Sequence, residues 1–151
     1  RESINKIKNY DIAFINGEKK NHNLSLKLKS INKKLQIFKG KYKPVNLERF
    51  NLKEKYLMFC GIGNPHEFEQ TLVKNKFSIK EKVIYPDHYK IPNEMINKLK
   101  LKAQNENLSI VTTEKDFFRL SKSQRKNIKF LKISLEIKDI KKFKKLLISK
   151  L

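Results

Sequence analysis

No phosphate-binding loop of the form GxxxxGK[ST] occurs anywhere in the 151 residues, and the chain opens on Arg1 with no initiator methionine. Together these absences make the sequence read as the second half of a longer protein. Cys60 is the only cysteine, which excludes an intrachain disulfide and makes a reducing compartment the default. Inside the apolar run YLMFC it reads as a small buried hydrophobe. A nucleophilic thiolate would need an electropositive, partly exposed setting instead. No apolar stretch approaches the ~20 residues that a helix needs to cross a bilayer, and no signal-peptide pattern stands at the start. Membrane contact is therefore expected to be peripheral, or to belong to residues outside this sequence. No three side chains fall at metal-ligand spacing. Acidic residues are scarce, 15 against 36 Lys plus Arg, for a formal charge of +21. That excess favours polyanionic partners: nucleic acid, an anionic bilayer surface or phosphorylated substrates. Lysine is accompanied throughout by isoleucine and asparagine, a pattern that coding bias leaves on surfaces, so only clustered charge carries a functional reading.

What is present is an alternation of periods. Residues 3–9 carry Ile4 and Ile7 on one helical face, and DIAFING at 11–17 reads as a buried strand closed by a glycine turn. Leu24, Leu26 and Leu28 alternate with polar residues, the period of a strand wet on one face. With Leu35, Ile37 and a bend at Gly40 they predict an antiparallel ribbon or linker. From residue 56 the pattern becomes strand 56–60, helix 65–74, strand 77–85, helix 92–105, strand 108–111, helix 114–120, strand 128–135 and a last helix 137–150. Four strands separated by helices predict a small, mostly parallel, three-layer α/β/α domain. The expected division is 1–20 as the end of one α/β domain, 21–54 as a two-stranded β linker, and 55–151 as the C-terminal α/β domain.

Three motifs stand at predicted strand ends, where open α/β sheets hold ligands. In GIGNPHE, Gly61 and Gly63 permit a tight turn, Asn64 can cap a helix begun by Pro65, and Glu67 is placed as its capping-box partner. Such a terminus is either a good turn or a seat for a phosphate or carboxylate. In PDHYK, Pro86 and Pro92 stiffen a loop that carries Asp87 beside His88. A carboxylate can orient an imidazole for acid-base work or for contact with developing phosphate charge; the alternative is a surface turn capped by Asp87. His22 and His66 have no comparable setting. In TTEKD, Thr113 can cap a helix with Asp116 three residues on, and Lys115 and Arg119 share a face that can reach an anion or simply be solvated. The final helix is basic and amphipathic, suited to packing on its own sheet or to lying on an anionic membrane.

In combination and order, RES at 1–3, DIAFING at 11–17, FCGIGNPHEFEQTL at 59–72, PDHYK at 86–90 and TTEKDFFRL at 112–120 resemble the C-terminal half of the tetraacyldisaccharide 4'-kinase (lipid A 4'-kinase) family. The resemblance implies an ATP-dependent, Mg2+-requiring transfer of the γ-phosphate to the 4'-hydroxyl of the tetraacyldisaccharide 1-phosphate precursor of lipid A. It places the enzyme peripherally at the cytoplasmic face of the bacterial inner membrane. It further implies a P-loop-type N-terminal domain, missing here, joined by a two-stranded linker to the smaller α/β domain, so that this chain alone should be inactive. By position, Arg1 and Glu2 match a pair near the nucleotide, Arg1 on phosphate and Glu2 on Mg2+. Ser3 stands where many relatives have proline. His88 matches a catalytic contributor reaching from the second domain into the cleft, with Asp87 beside it, which makes domain closure part of the mechanism.

Two other readings compete. A basic nucleic-acid-binding module would rest on charge alone, because no helix-turn-helix, RNP-type or KH signature is present and Phe117 and Phe118 fall at apolar helical positions; no nucleic-acid partner is expected. A standalone domain that binds anionic lipid without catalysis is the third reading.

Overall fold

The computed structural model describes residues 2–17 and 22–149, and the chain folds as two units, Arg1–Lys43 with Ser134–Leu151, and Pro44–Ile133. In the first unit Ser3 caps a 3-10 helix, Ile4–Asn9, followed by β1 (Ile12–Asn16), α1 (His22–Ile31) and β2 (Gln36–Pro44). β1 and β2 pair in parallel, from Ile12 opposite Gln36 to Asn16 opposite Gly40. Ile15, Leu28 and Leu35 form the core of this unit, with Ile7, Ala13 and Ile37 against them.

The alternating leucines do not form the expected strand. Leu24, Leu28 and Ile31 also recur at helical spacing, and α1 turns Leu28 inward while Leu26 stays 57% exposed. Leu24 and Leu28, four apart, satisfy both periods, whereas Leu26 fits only the strand, and packing chose the helix. Residues 21–54 are therefore not a contiguous antiparallel ribbon. Nor does Gly40 bend the chain: it lies within β2, where a Cβ would run into the Phe14 ring and stand 3.0 Å from the Glu136 carbonyl oxygen.

The second unit runs β3 (Lys55–Cys60), α2 (Pro65–Lys74), β4 (Ser78–Ile84), α3 (Asn93–Asn105), β5 (Ser109–Thr113), α4 (Glu114–Arg119), α5 (Lys122–Arg125) and β6 (Ile128–Leu131). Its sheet has the order β4-β3-β5-β6, and every neighbouring pair is parallel. A parallel sheet needs cover on both faces. Tyr56, Met58 and Cys60 pack toward Phe68 and Leu72 of α2, while Leu57 and Phe59 pack toward Ile96, Leu99 and Ala103 of α3. The expected three-layer α/β/α arrangement is thus built by a strand whose alternate side chains are buried in opposite layers.

The strand expected over 128–135 is two strands. The Asn46 side chain, 5% exposed, donates to the Phe130 carbonyl and accepts from the Lys132 N–H, taking the place of a strand neighbour. β6 ends there, and β7 (Ile133–Ile137) pairs instead with β2 in the order β1-β2-β7. α6 (Ile140–Ile148) likewise belongs to the first unit: Phe143 packs on Phe14 and Phe38 with ring centroids 6.0 and 4.9 Å apart. The boundaries expected at 20/21 and 54/55 accordingly differ from the contact boundaries at 43/44 and 133/134, because the chain returns to its first unit after β6.

Candidate active site at the carboxyl edge of the second sheet

Because β4, β3 and β5 are adjacent and parallel, their carboxyl ends open on one edge, and the three motifs leave the sheet side by side. From β3, Gly61 passes so close to β4 that a Cβ would stand 3.2 Å from the Pro86 carbonyl oxygen. Asn64 then caps α2, accepting the Glu67 N–H at 3.3 Å, with Pro65 at the first helical position. The Glu67 carboxylate returns to the Asn64 side-chain amide at 3.0 Å, tightening the same cap.

From β4, residues 86–89 make a turn closed by Tyr89 N–H to the Pro86 carbonyl at 3.1 Å, and the Tyr89 ring stacks on Tyr85 at 5.6 Å. His88 occupies the third position with φ 64°, the left-handed region that such a turn requires and that histidine enters more readily than most residues. Its side chain is 72% exposed. Asp87 Oδ1 accepts the His88 N–H at 2.9 Å and the Lys115 Nζ at 3.4 Å, while Oδ2 stands 3.8 Å from His88 Nε2. Slight desolvation would raise the Asp87 carboxyl, but His88 and Lys115 outweigh it and hold the group below the usual carboxylate range.

From β5, Thr113 caps α4 by accepting the Asp116 N–H at 3.1 Å. The Asp116 carboxylate, 3% exposed, does more than complete a cap. Its Oδ2 accepts the Gly61 N–H at 3.0 Å and the Thr113 hydroxyl at 2.7 Å, tying the exits of β3 and β5 together. Arg119 extends the tie: Nη1 lies 3.4 Å from Asp116 Oδ1 and 3.4 Å from the Gly61 carbonyl oxygen, and Nη2 lies 2.8 Å from His88 Nδ1. Spacing within the sequence placed Lys115 and Arg119 on one face but gave no sign that Arg119 meets His88, since that contact depends on strand order. Cys60 is fully buried, and burial followed by the nearby Asp116 charge pushes its thiol up to about 11, so it takes no part in chemistry here.

A profile of the tetraacyldisaccharide-1-P 4'-kinase family matches residues 1–151. The chain belongs to that family. It is 38% identical over 143 residues to the tetraacyldisaccharide 4'-kinase of Pelagibacter ubique (strain HTCC1062), covering 93% of this chain and 45% of that protein. It is 41% identical over 70 residues to the Chelativorans sp. (strain BNC1) kinase, covering 46% and 20%. The chain thus spans about half the length of its Pelagibacter relative, and less of that from Chelativorans. The crystal structure of LpxK from Aquifex aeolicus in complex with ATP shares the fold, with a TM-score of 0.58 at 20% identity over 99% of this chain and 45% of that one.

Of the other residues that the family resemblance singled out, Arg1 lies outside the described residues. Glu2, in the first unit, is an exposed carboxylate 3.1 Å from Lys6 Nζ and 3.2 Å from the Tyr10 hydroxyl. Among the described residues no three His, Cys, Asp or Glu side chains gather as a metal site.

Proposed function

We propose that this tetraacyldisaccharide 4'-kinase family chain is the C-terminal portion of an ATP-dependent phosphotransferase acting on the 4'-hydroxyl of the tetraacyldisaccharide 1-phosphate lipid A precursor. The reading is carried by one observation: a chain that matches the family end to end gathers an exposed imidazole, two cationic side chains and a carboxylate at the carboxyl edge of its sheet. In the transfer, the bond from the γ-phosphorus to the bridging oxygen breaks as a bond to the 4'-oxygen forms, ADP leaves with the bridging oxygen, and the hydroxyl proton passes to a base at the site or to water. The protein contributes mainly position and charge to such a step. Lys115 and Arg119 supply positive charge beside His88, whose exposed ring can meet the phosphoryl oxygens.

The phosphate loop that would grip ATP is not part of this sequence, so His88 and Asp87 would act on a nucleotide held elsewhere in the complete protein, and the chain alone should be inactive. Arg1 would contact phosphate. Glu2 offers the hard oxygen that suits Mg2+, as one ligand of an ion held largely by phosphate oxygens. When bound, that ion neutralises charge on the transferring group. For localisation we infer peripheral attachment at the cytoplasmic face of the inner membrane. Among the described residues no helix is long and apolar enough to cross a bilayer. Basic side chains near an anionic surface contribute about 1 kcal/mol each to attachment.

The test is His88→Ala in the complete protein. Phosphoryl transfer from labelled ATP to the lipid acceptor should fall roughly 100-fold or more, while ATP affinity by equilibrium titration changes little. Unaltered turnover would remove His88 from the site.

A further inference from the structure

Phe118, on α4, is 57% exposed, yet its ring is not loose. Its centroid stands 5.5 Å from that of Phe130 on β6 and 5.6 Å from that of Phe117, and the Arg125 guanidinium carbon lies over it at 5.2 Å. Arg125 is itself pinned. Its Nε donates to the Phe117 and Leu120 carbonyls at 3.1 and 3.0 Å and its Nη2 to the Phe118 carbonyl at 2.8 Å, filling acceptors that α4 leaves at its end. A clustered ring, fixed while more than half in water, is an apolar contact surface rather than a singly scattered hydrophobe. The charge around it has one sign. From Phe117 to Leu135 the sequence has no acidic residue and six Lys or Arg. Arg119 and Lys129 have carboxylate partners in Asp116 and Glu54. Among the described residues Lys122, Arg125 and Lys126 make no ion pair. Lys100 of α3, whose Nζ donates to the Ser123 carbonyl at 3.4 Å, is held below its ordinary value by desolvation and then by the Lys126 charge. Positive charge is thus crowded about α5 with no counter-charge from the protein.

We propose that Phe118, Lys122 and Lys126 form the surface by which the second unit rests on an anionic bilayer, the ring entering the headgroup boundary and the two lysines meeting lipid phosphates. This rests on the peripheral attachment inferred above and names where it occurs. An exposed ring bordered by unpaired cations has the polarity of an interfacial anchor. Its place on α4 fits the same partner. Lys115, whose ammonium holds Asp87 at the carboxyl edge, precedes Phe118 by three residues, about 4.5 Å along the helix axis. Apolar anchors enter the boundary by about 5–10 Å. A ring seated there keeps the carboxyl edge at headgroup depth, where the sugar hydroxyl of a lipid acceptor lies. Single-stranded nucleic acid would use the same charge, but it stacks bases on open ring faces, and Arg125 already lies over a face of this ring.

The experiment sediments the complete protein with vesicles of equal parts phosphatidylglycerol and phosphatidylcholine, and with phosphatidylcholine alone. Wild type should bind the mixed vesicles and leave the neutral ones. Lys122→Gln combined with Lys126→Gln should weaken that binding roughly 30-fold, and Phe118→Ala roughly 5-fold. Phe118→Trp should bind like wild type. The emission of the introduced indole, taken as the difference from wild type, should shift to the blue on mixed vesicles and be quenched by lipids brominated in the upper acyl chain. Phosphoryl transfer to acceptor dispersed in detergent should stay at the wild-type rate in every variant, because only attachment is lost. Should Phe118→Ala disturb the ring cluster, the exposed lysine pair decides the matter. Variants that all bind mixed vesicles like wild type, or an indole that stays wet and unquenched, would overturn the assignment of this surface while attachment itself stands. A wild type that binds neither kind of vesicle sinks the attachment reading and this surface together. If the variants weaken binding to single-stranded DNA and leave vesicle binding unchanged, the surface belongs to nucleic acid and the bilayer proposal falls.

Discussion

From Tyr56 to Cys60 every side chain of β3 is fully out of water, whereas along β1 only Ile15 is buried. The second unit closes a parallel sheet between two helical layers, so both sets of alternate side chains are held. The first unit gathers a smaller core around Ile15, Leu28 and Leu35 and closes its sheet with β7, a strand that arrives more than ninety residues after β2 begins. The contrast bears on function. A site that needs sub-ångström placement is better mounted on strand ends fixed from both faces, and Asp87, His88, Lys115 and Arg119 all follow strands of the second sheet.

Truncating each core tests that contrast most severely. Phe59→Ala removes a fully buried ring between β3 and α3 and should cost about 3–5 kcal/mol, and Leu35→Ala about 2–3 kcal/mol, in denaturant unfolding. Cys60 offers a second readout, since its buried thiol, raised to about 11, reacts with a thiol reagent only when the second unit opens. Phe59→Ala should hasten its labelling strongly, and Leu35→Ala should leave it near the wild-type rate. Equal acceleration by both would mean that the two cores open together and would erase the distinction. Asp116→Ala comes next in size. It strands the Gly61 N–H and the Arg119 guanidinium, at about 1–3 kcal/mol. Asp116→Asn keeps an acceptor oxygen and should cost less.

The same contrast explains what was legible in the sequence. The helix expected at 65–74 is α2 to the residue, because Asn64, Pro65 and Glu67 write its start chemically. The strands of the second unit were readable because contiguous βαβ units keep each apolar run beside its own turn signals. Leu24, Leu26 and Leu28 were misread because Leu24 and Leu28 fit either period, and burial, invisible in one sequence, decides between them. The break at Lys132 was hidden because its cause is Asn46, eighty-six residues earlier. At the site, His88 and Asp87 were legible as a stiffened pair, and Lys115 and Arg119 as a basic face. The Arg119–His88 contact and the Gly61–Asp116 tie were not, because both cross between strands whose order the chain does not spell out.

The two edges of the second sheet give the subtlest comparison. Glu54 precedes β3 at the amino edge, and its carboxyl is held below the ordinary value, first by the Ser109 hydroxyl, against some desolvation, with Lys129 at 4.0 Å assisting. Asp87 is depressed at the carboxyl edge. A carboxyl whose folded pKa is lowered adds stability above its unfolded value, about 4.3 for glutamate, and that stability is lost as pH falls through the lower folded value. Glu54→Gln should therefore flatten the acid limb of the stability profile below about pH 4.3. The offset above it should be small, under about 1 kcal/mol, because the side chain is 37% exposed and screened. Turnover of the complete protein should be untouched. Asp87→Asn should do the reverse, altering turnover by loosening the His88 turn while changing acid stability little. Acid titration of folding by circular dichroism, run beside the kinase assay, separates the two; an activity loss in Glu54→Gln equal to that in Asp87→Asn would show that the amino edge also shapes the site.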